Sequence, residues 1–261
     1  MLERFPYACA RDKLGELAEK FEPLCADAET QAWLTRHERA AHGVLRRGLV
    51  ELLSSFMSLY DAHGLTGSYP MHLLSTTQLE SLVGAGHARL LDVGAGAGYV
   101  TEYAAKLSRE VVCTETSRRL GQRLVQRGFR VHVQDLGETR LPDQAPFDVI
   151  LCLNVLDRTS HPRRLLSALR KLCAPTTKLV VAVPLPIHAT VFVKGGSIAP
   201  SEALPCTKRE FETAALELST QLFTQLGFEI LRFARLPYFS VGDSERDLYV
   251  LDDGIWVLGA A

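Results

Sequence analysis

The sequence predicts a doubly wound α/β fold, and three observations carry the prediction. Leu90-Leu-Asp-Val-Gly-Ala-Gly-Ala-Gly-Tyr-Val100 passes from an apolar run through three alternating glycines into a helix-compatible segment, the pattern of strand, tight turn and helix. Beyond it, short apolar runs alternate with amphipathic stretches to the C-terminus. One of those runs, Phe147 to Leu153, is apolar but for Asp148, as a parallel strand covered on both faces requires. In such a sheet ligands gather at the carboxyl ends of the strands.

Each element has a local reason. Asp12 to Phe21 places Leu14, Leu17, Ala18 and Phe21 at helical spacing, and Pro23 stops it. A second helix starts near Asp27 or Thr30 and continues through Val44, Leu45, Leu49, Leu52 and Phe56, whose apolar face is expected to pack on something larger. Gly64, Gly67 and Pro70 read as a loop, and Ser75 as the N-cap of a helix over Thr76 to Val83. After the glycine loop come a helix over Tyr99 to Leu107 and a strand over Glu110 to Thr114. A helix over Ser117 to Arg127 and a strand over Arg130 to Val133 follow. Then come the Phe147 to Leu153 strand, a helix over Pro162 to Leu172, a strand over Thr177 to Pro184 and a long helix over Lys208 to Leu226 closed by Gly227. Strands near Phe228 to Leu236 and within Leu248 to Leu258 end the chain. Residues 1–85 thus read as a helical extension packed on a sheet domain of residues 86–261.

Whole-chain properties exclude several classes. A formal net charge of -1 supplies no field for a polyanion, so no nucleic-acid partner is expected. The six cysteines form no C-x-x-C pair and are read as reduced thiols. The histidines show no metal-ligand spacing, His37 and His42 included, and no metal is expected. No apolar stretch approaches transmembrane length and the first residues lack a signal-peptide core, so a soluble protein without membrane insertion is expected, and a monomer.

The glycine spacing discriminates between ligands. A dinucleotide fingerprint, G-x-G-x-x-G, would put its third glycine at position 99, where Tyr99 stands. Asp92, two residues before Gly94, is also unexplained by a pyrophosphate. Glycines let the main chain take positive φ and admit a ligand against it. Exposed N–H groups at the following helix start would favour an electron-rich ligand group. Acid-x-Gly-x-Gly-x-Gly, as Asp92 to Gly98, resembles the first motif of class I S-adenosylmethionine-dependent methyltransferases.

Other residues are placed for chemistry. Glu115 ends the second strand 21 positions after Gly94, where a carboxylate can accept from both hydroxyls of a ribose. Asp135 follows the third strand and could meet an adenine amino group, as could Gln134. Asn154 and Asp157 leave the fourth strand where a methyl acceptor would stand; both also suit ordinary turn chemistry, and position alone leaves both readings open. Tyr238 and Tyr249 in the terminal hairpin read as core-edge residues or as the wall of a peptide groove.

Leu-Leu-Asp-Val-Gly-Ala-Gly-Ala-Gly, Cys152-Leu-Asn-Val-Leu-Asp-Arg158, Arg235-Leu-Pro-Tyr238 and Tyr249-Val-Leu-Asp-Asp253 together resemble the DREV family of methyltransferase-like proteins. Ser55-Phe-Met-Ser58 and Gly64-Leu-Thr-Gly67 extend the resemblance from about Leu45 to the C-terminus. Ala97 departs from it, since the family commonly has Asp there. The resemblance implies a Rossmann-like, seven-stranded class I methyltransferase sheet with S-adenosylmethionine as cofactor. It further implies methylation of histidine at Nδ1, the pros nitrogen, in protein or peptide substrates with alternating histidines (His-x-His). Carried over by motif, Asp92, Gly94, Ala95, Gly96, Glu115, Asp135 and Asn154 hold the cofactor. Asn154, Asp157, Arg158, Tyr238 and Tyr249 meet the substrate, with Asp157 and Asn154 catalytic. The alternatives are a small-molecule methyltransferase lidded by the N-terminal helices, and a non-catalytic scaffold, against which the intact Asp92, Gly94, Gly96 and Glu115 count.

Overall fold

Strand alternation divides the core of this protein into two layers. In β2 (His87–Val93), β5 (Val149–Leu153) and β6 (Lys178–Pro184), Leu91, Ile150, Cys152, Leu179 and Val181 join one buried cluster and Leu90, Val149, Leu151, Val180 and Ala182 another. The first cluster takes in Leu165, Leu166 and Leu169 of α7 (Pro162–Leu172) and Ala214, Ala215 and Leu218 of α8 (Phe211–Leu218). The second takes in Leu79, Leu82 and Val83 of α4 (Thr76–Val83) and Ala104 of α5 (Thr101–Ala104). Each fully buried Leu or Val contributes about 1.5–3 kcal/mol, and covering both faces makes the parallel sheet the centre of stability.

The structure, a computed structural model, describes residues 5–37, 44–67, 70–143, 146–241 and 248–261. Its main sheet also contains β1 (Met71–His72), β3 (Ser108–Glu115), β4 (Arg130–Val133), β9 (Phe228–Val241) and β10 (Leu248–Ala260). The order is β1-β9-β10-β6-β5-β2-β3-β4, with β2, β3, β4, β5 and β6 parallel and β10 antiparallel to both neighbours. The sheet therefore has eight strands rather than the expected seven, the addition being β1 against the end of β9. Two further strands, β7 (Val191–Val193) and β8 (Gly196–Ile198), form a separate hairpin.

Differences from expectation concentrate before residue 86. Asp12 to Phe21 forms two 3-10 turns, Arg11–Lys13 and Gly15–Glu19, broken where Gly15 takes φ 53 at the start of the second. Leu14 and Leu17, three apart, still point inward together, as a three-residue turn requires. The second helix is described as α1 (Ala28–His37) and α2 (Val44–Ser54); positions 38–43, including His42, and the side chains of Val44 and Leu45 lie outside the described residues. Its expected core face is not covered: Leu49, Leu52 and Phe56, the last beyond the helix end, are 47%, 59% and 67% exposed. Gly64, read as loop, lies inside α3 (Leu59–Thr66), capped by Ser58. Ser75 caps α4 through a capping box with Gln78, as its sequence position demands. The long helix before Gly227 is α8 followed by a π-turn over Ser219–Phe223 and a 3-10 turn, where Ser219 Oγ accepts 2.9 Å from the buried Trp256 Nε1.

Candidate active site

At the carboxyl ends of β2, β3 and β5 opens a cavity of about 590 Å3, within the range of small-ligand sites. The glycine loop forms its floor. Gly94, at φ 68, lies where a Cβ would stand 2.7 Å from Val155 Cγ2, so nothing larger fits. Several of the loop's donors are spent within the protein: Gly94 and Ala95 N–H donate to the Thr114 carbonyl at 2.9 and 3.1 Å, and Gly98 N–H to Ala95 O. Gly96 N–H donates 2.9 Å to Glu115 Oε2. The parallel strand β3 thus takes the N–H groups of Gly94, Ala95 and Gly96.

What lines the cavity is acidic. Asp92, 4% exposed, accepts 2.6 Å from Thr101 Oγ1, and burial, with Glu115 nearby, raises its pKa to about 7. Glu115 accepts Ser117 N–H at 2.9 Å on its other oxygen; burial pushes it up and these backbone donors pull it back. Oε1 also accepts from Thr116 Oγ1 at 3.4 Å, whereas Oε2 keeps a second lone pair for a hydroxyl. Buried acids of raised pKa gain most from a cation, which is what a sulfonium and an ammonium group supply. A phosphate would meet like charge there. The residues present therefore fit S-adenosylmethionine, through Asp92, the glycine loop and Glu115.

Asp135 and Gln134 both line the cavity. Asp135 Oδ1 is engaged by Gly137 N–H at 2.7 Å, whereas Gln134 Nε2 is buried with no hydrogen-bond partner among the described residues, which favours Gln134 as the group facing an adenine edge.

The opposite wall comes from the turn after β5. Asn154 holds φ 56, a conformation Asn tolerates better than most residues, and its N–H donates 3.0 Å to Ala182 O. Asp157, 2% exposed, is paired by Oδ2 with Arg158 Nε at 3.0 Å, while Oδ1 is buried with no hydrogen-bond partner among the described residues. Burial raises its pKa to about 6 against the pull of Arg158. Arg158 also stands over Phe192 at 5.5 Å. Tyr238 lines the cavity and its hydroxyl donates 3.2 Å to Met71 Sδ. Tyr249 is not among the lining residues: on β10 it stands opposite Ser240, two pairs beyond Leu251, which lines the cavity opposite Tyr238, as Ser240 also does.

Several lining residues were missed in the sequence. Tyr60 and His63 of α3 face the cavity, Tyr60 edge-on to Phe192 of β7 at 5.7 Å between ring centroids. Burial pushes the Tyr60 phenol up to about 12 and His63 down to about 4. The available signal was their place between the two family-like elements at 55–58 and 64–67. Asp253, quoted only as part of a motif, is fully buried with Asn154 and Asp157 near it.

The profile of the DREV methyltransferase family matches residues 6–260. Among curated proteins, the ubiquinone biosynthesis O-methyltransferase of Xylella fastidiosa (strain M23) is 29% identical over 147 residues, 52% of this chain and 59% of that protein. The enzyme of the same name from Xanthomonas axonopodis pv. citri is 30% identical over 133 residues, 47% of this chain and 54% of that protein. The chain thus spans little more than half the length of these relatives. Among solved structures, a putative RNA methyltransferase from Pyrococcus horikoshii superposes with a TM-score of 0.50 at 13% identity, covering 84% of this chain and 98% of that one. A protein described under conversion of a disulfide bond into a thioacetal group during echinomycin biosynthesis gives 0.52 at 16% identity, covering 72% and 81%. Those likenesses establish the shared Rossmann-like fold. The family match spans the glycine loop, the Asn154–Asp157 turn and the terminal hairpin alike, so the chain belongs to the DREV methyltransferase family.

Proposed function

We propose that this enzyme methylates Nδ1 of histidine within His-x-His sequences of protein substrates. The observation that supports the reading best is Asp157 Oδ1, a buried acceptor without a partner at the edge of the cofactor cavity. An unfilled buried acceptor is costly and is best served by a ligand donor. Neutral imidazole has one N–H and one lone pair, on different nitrogens. When Asp157 accepts Nε2–H, the Nδ1 lone pair is left free to attack, and the carboxylate offsets the positive charge that the ring gains. S-adenosylmethionine supplies the methyl group on a cationic sulfur that leaves with the C–S electron pair. Asp92 and Glu115 hold the cofactor, with Asn154 at the junction of the two ligands. Tyr60, Phe192 and Tyr238 wall the acceptor side and help to exclude water.

The test is a transfer assay with a labelled methyl group offered to a His-x-His peptide, small amines and a phenol, followed by hydrolysis and chromatography. Nδ1-methylhistidine is expected. Methylation of the phenol alone would instead support the small-molecule reading suggested by the names of the curated relatives.

A further inference from the structure

Strand β10 outruns its neighbour β6. Their ladder closes with Asp253 opposite Pro184 and with Leu185 N–H donating 2.8 Å to Asp252 O, whereas on its other side β10 runs along β9 as far as Leu248 opposite Val241. In a strand the N–H and C=O of one residue point to the same side, and successive residues alternate. Asp252 points toward β6, so Val250 and Leu248 do too, at a level where β6 has already ended. β9 gives the same phase independently. Phe233 bonds away from β10 to Lys20 and Glu22, and Val241 to Pro70, so Val250–Phe239 and Leu248–Val241 are the pairs without mutual hydrogen bonds. The main-chain N–H and C=O of Val250 and Leu248 thus have no partner among the described residues. Val250 is 39% exposed and Leu251 38%.

Peptide groups two residues apart, facing one way, are matched by another extended main chain. Their place is continuous with the cavity, which Leu251, its cross-strand partner Tyr238, Ser240 and Pro184 at the end of β6 all line. In a strand laid beside β10, every second side chain takes the face of Leu251. Two such residues stand about 7 Å apart, so both histidines of a His-x-His sequence share that face and the residue between them points away. We propose that the substrate polypeptide is held by strand addition: its main chain pairs with Val250 and Leu248 of β10, which directs alternate side chains toward the cavity. This rests on the proposed function for the substrate being a polypeptide and is independent of which side chain receives the methyl group.

The test offers the full chain a series of His-x-His peptides, each N-methylated at one backbone nitrogen. Sensitive positions should lie two residues apart, each raising KM about tenfold with kcat little changed, the effect of one lost hydrogen bond, while the position between them has no effect. Val250→Pro removes the outward N–H without touching a bond to β9, and should raise KM for the unmodified peptide by a similar factor of about ten. Val250→Ala, which keeps the N–H, should stay within about threefold of wild type. Cofactor affinity in calorimetry should be unchanged in both. Amide exchange at Val250, read by NMR with S-adenosylhomocysteine present, should slow at saturating peptide; this and the peptide series need no variant to fold. A flat KM across the series, or exchange at Val250 unmoved by saturating peptide, would overturn the proposal. Slow exchange before peptide is added, deepening with protein concentration, would assign the site to a second copy of the chain and overturn it too. Methylation of lysine in place of histidine in peptides carrying both would overturn the histidine reading alone, and the two-residue pattern then decides the role of β10. A protein that methylates the phenol and no peptide would overturn both.

Discussion

Ser117 Oγ donates a 2.6 Å hydrogen bond to Asp61 Oδ1 and so ties the loop after β3 to helix α3. The same Ser117 is held through its N–H by Glu115, and Asp61 is held through its own N–H by Ser58 Oγ. A continuous chain of bonds thus links the acid beneath the cofactor to the helix that carries Tyr60 and His63. Residues before the sheet are part of the cavity wall.

That docking predicts the effect of Gly64→Ala. Gly64 is helical, where alanine would ordinarily add about 1 kcal/mol of stability. Here the new Cβ would stand 2.5 Å from Arg119 Cβ and 3.0 Å from the Arg119 carbonyl carbon and the Leu120 nitrogen, none of them a flexible tip. The bond from Arg123 Nε to Gly64 O at 2.5 Å would be pulled with it. A net loss of about 1–3 kcal/mol is expected in denaturant unfolding, with weakened cofactor binding in calorimetry.

Gly94→Arg should abolish cofactor binding while the protein stays folded. The position already abuts Val155, and its φ of 68 disfavours any side chain. Calorimetric titration reads the first result and circular dichroism the second.

Cofactor affinity should rise with pH through about 7. Asp92 titrates there because burial raises it, and a cation binds the ionised form, so affinity falls as pH drops and a proton is released on binding near neutrality. The same shift destabilises the ligand-free protein as pH climbs from 3.8 toward about 7, since the folded state holds the proton longer than the unfolded. His63 and His72, each lowered to about 4 by burial, act in the opposite sense. Comparison with Asp92→Asn isolates the carboxyl: this variant should bind more weakly and lose the pH dependence that wild type shows in titrations at pH 5.5 to 8.

Asp157→Ala should lower turnover by about 10²-fold and leave cofactor affinity nearly unchanged. In wild type, kcat/KM should fall as pH drops through about 6, where Asp157 gains its proton, and through about 6.5, where a free imidazole does. A product methylated mainly at Nε2 would reverse the tautomer assigned to the bound ring.

The glycine loop, β4 and α7 were legible because local chemistry decides them: glycine at positive φ, a short alternating strand, Pro162 in the first helical turn. Asp92, Glu115 and Asn154 followed, since the ends of parallel strands converge at one edge. Gly64 was misread because its reason lies 55 residues away at Arg119, and no local pattern announces a close helix crossing. Tyr249 was placed by motif, and strand register sets it opposite Ser240, two pairs along β10 from Leu251. Asp253 could not be separated from Asp252 without knowing which face each would take.

The shortest strand of the sheet has a consequence for handling the protein. β9 is 14 residues long, and one of its sides is met by β1 at Phe239 and Ser240, by Pro70 at Val241, and by Lys20 and Glu22 at Phe233. All of these lie in the first 72 residues. A fragment cut to residues 86–261 would bare that row of peptide groups, an edge ready to recruit the same strand of another molecule. Such a fragment is expected to self-associate, so its failure in solution would report unsatisfied strand pairing and say nothing about catalysis.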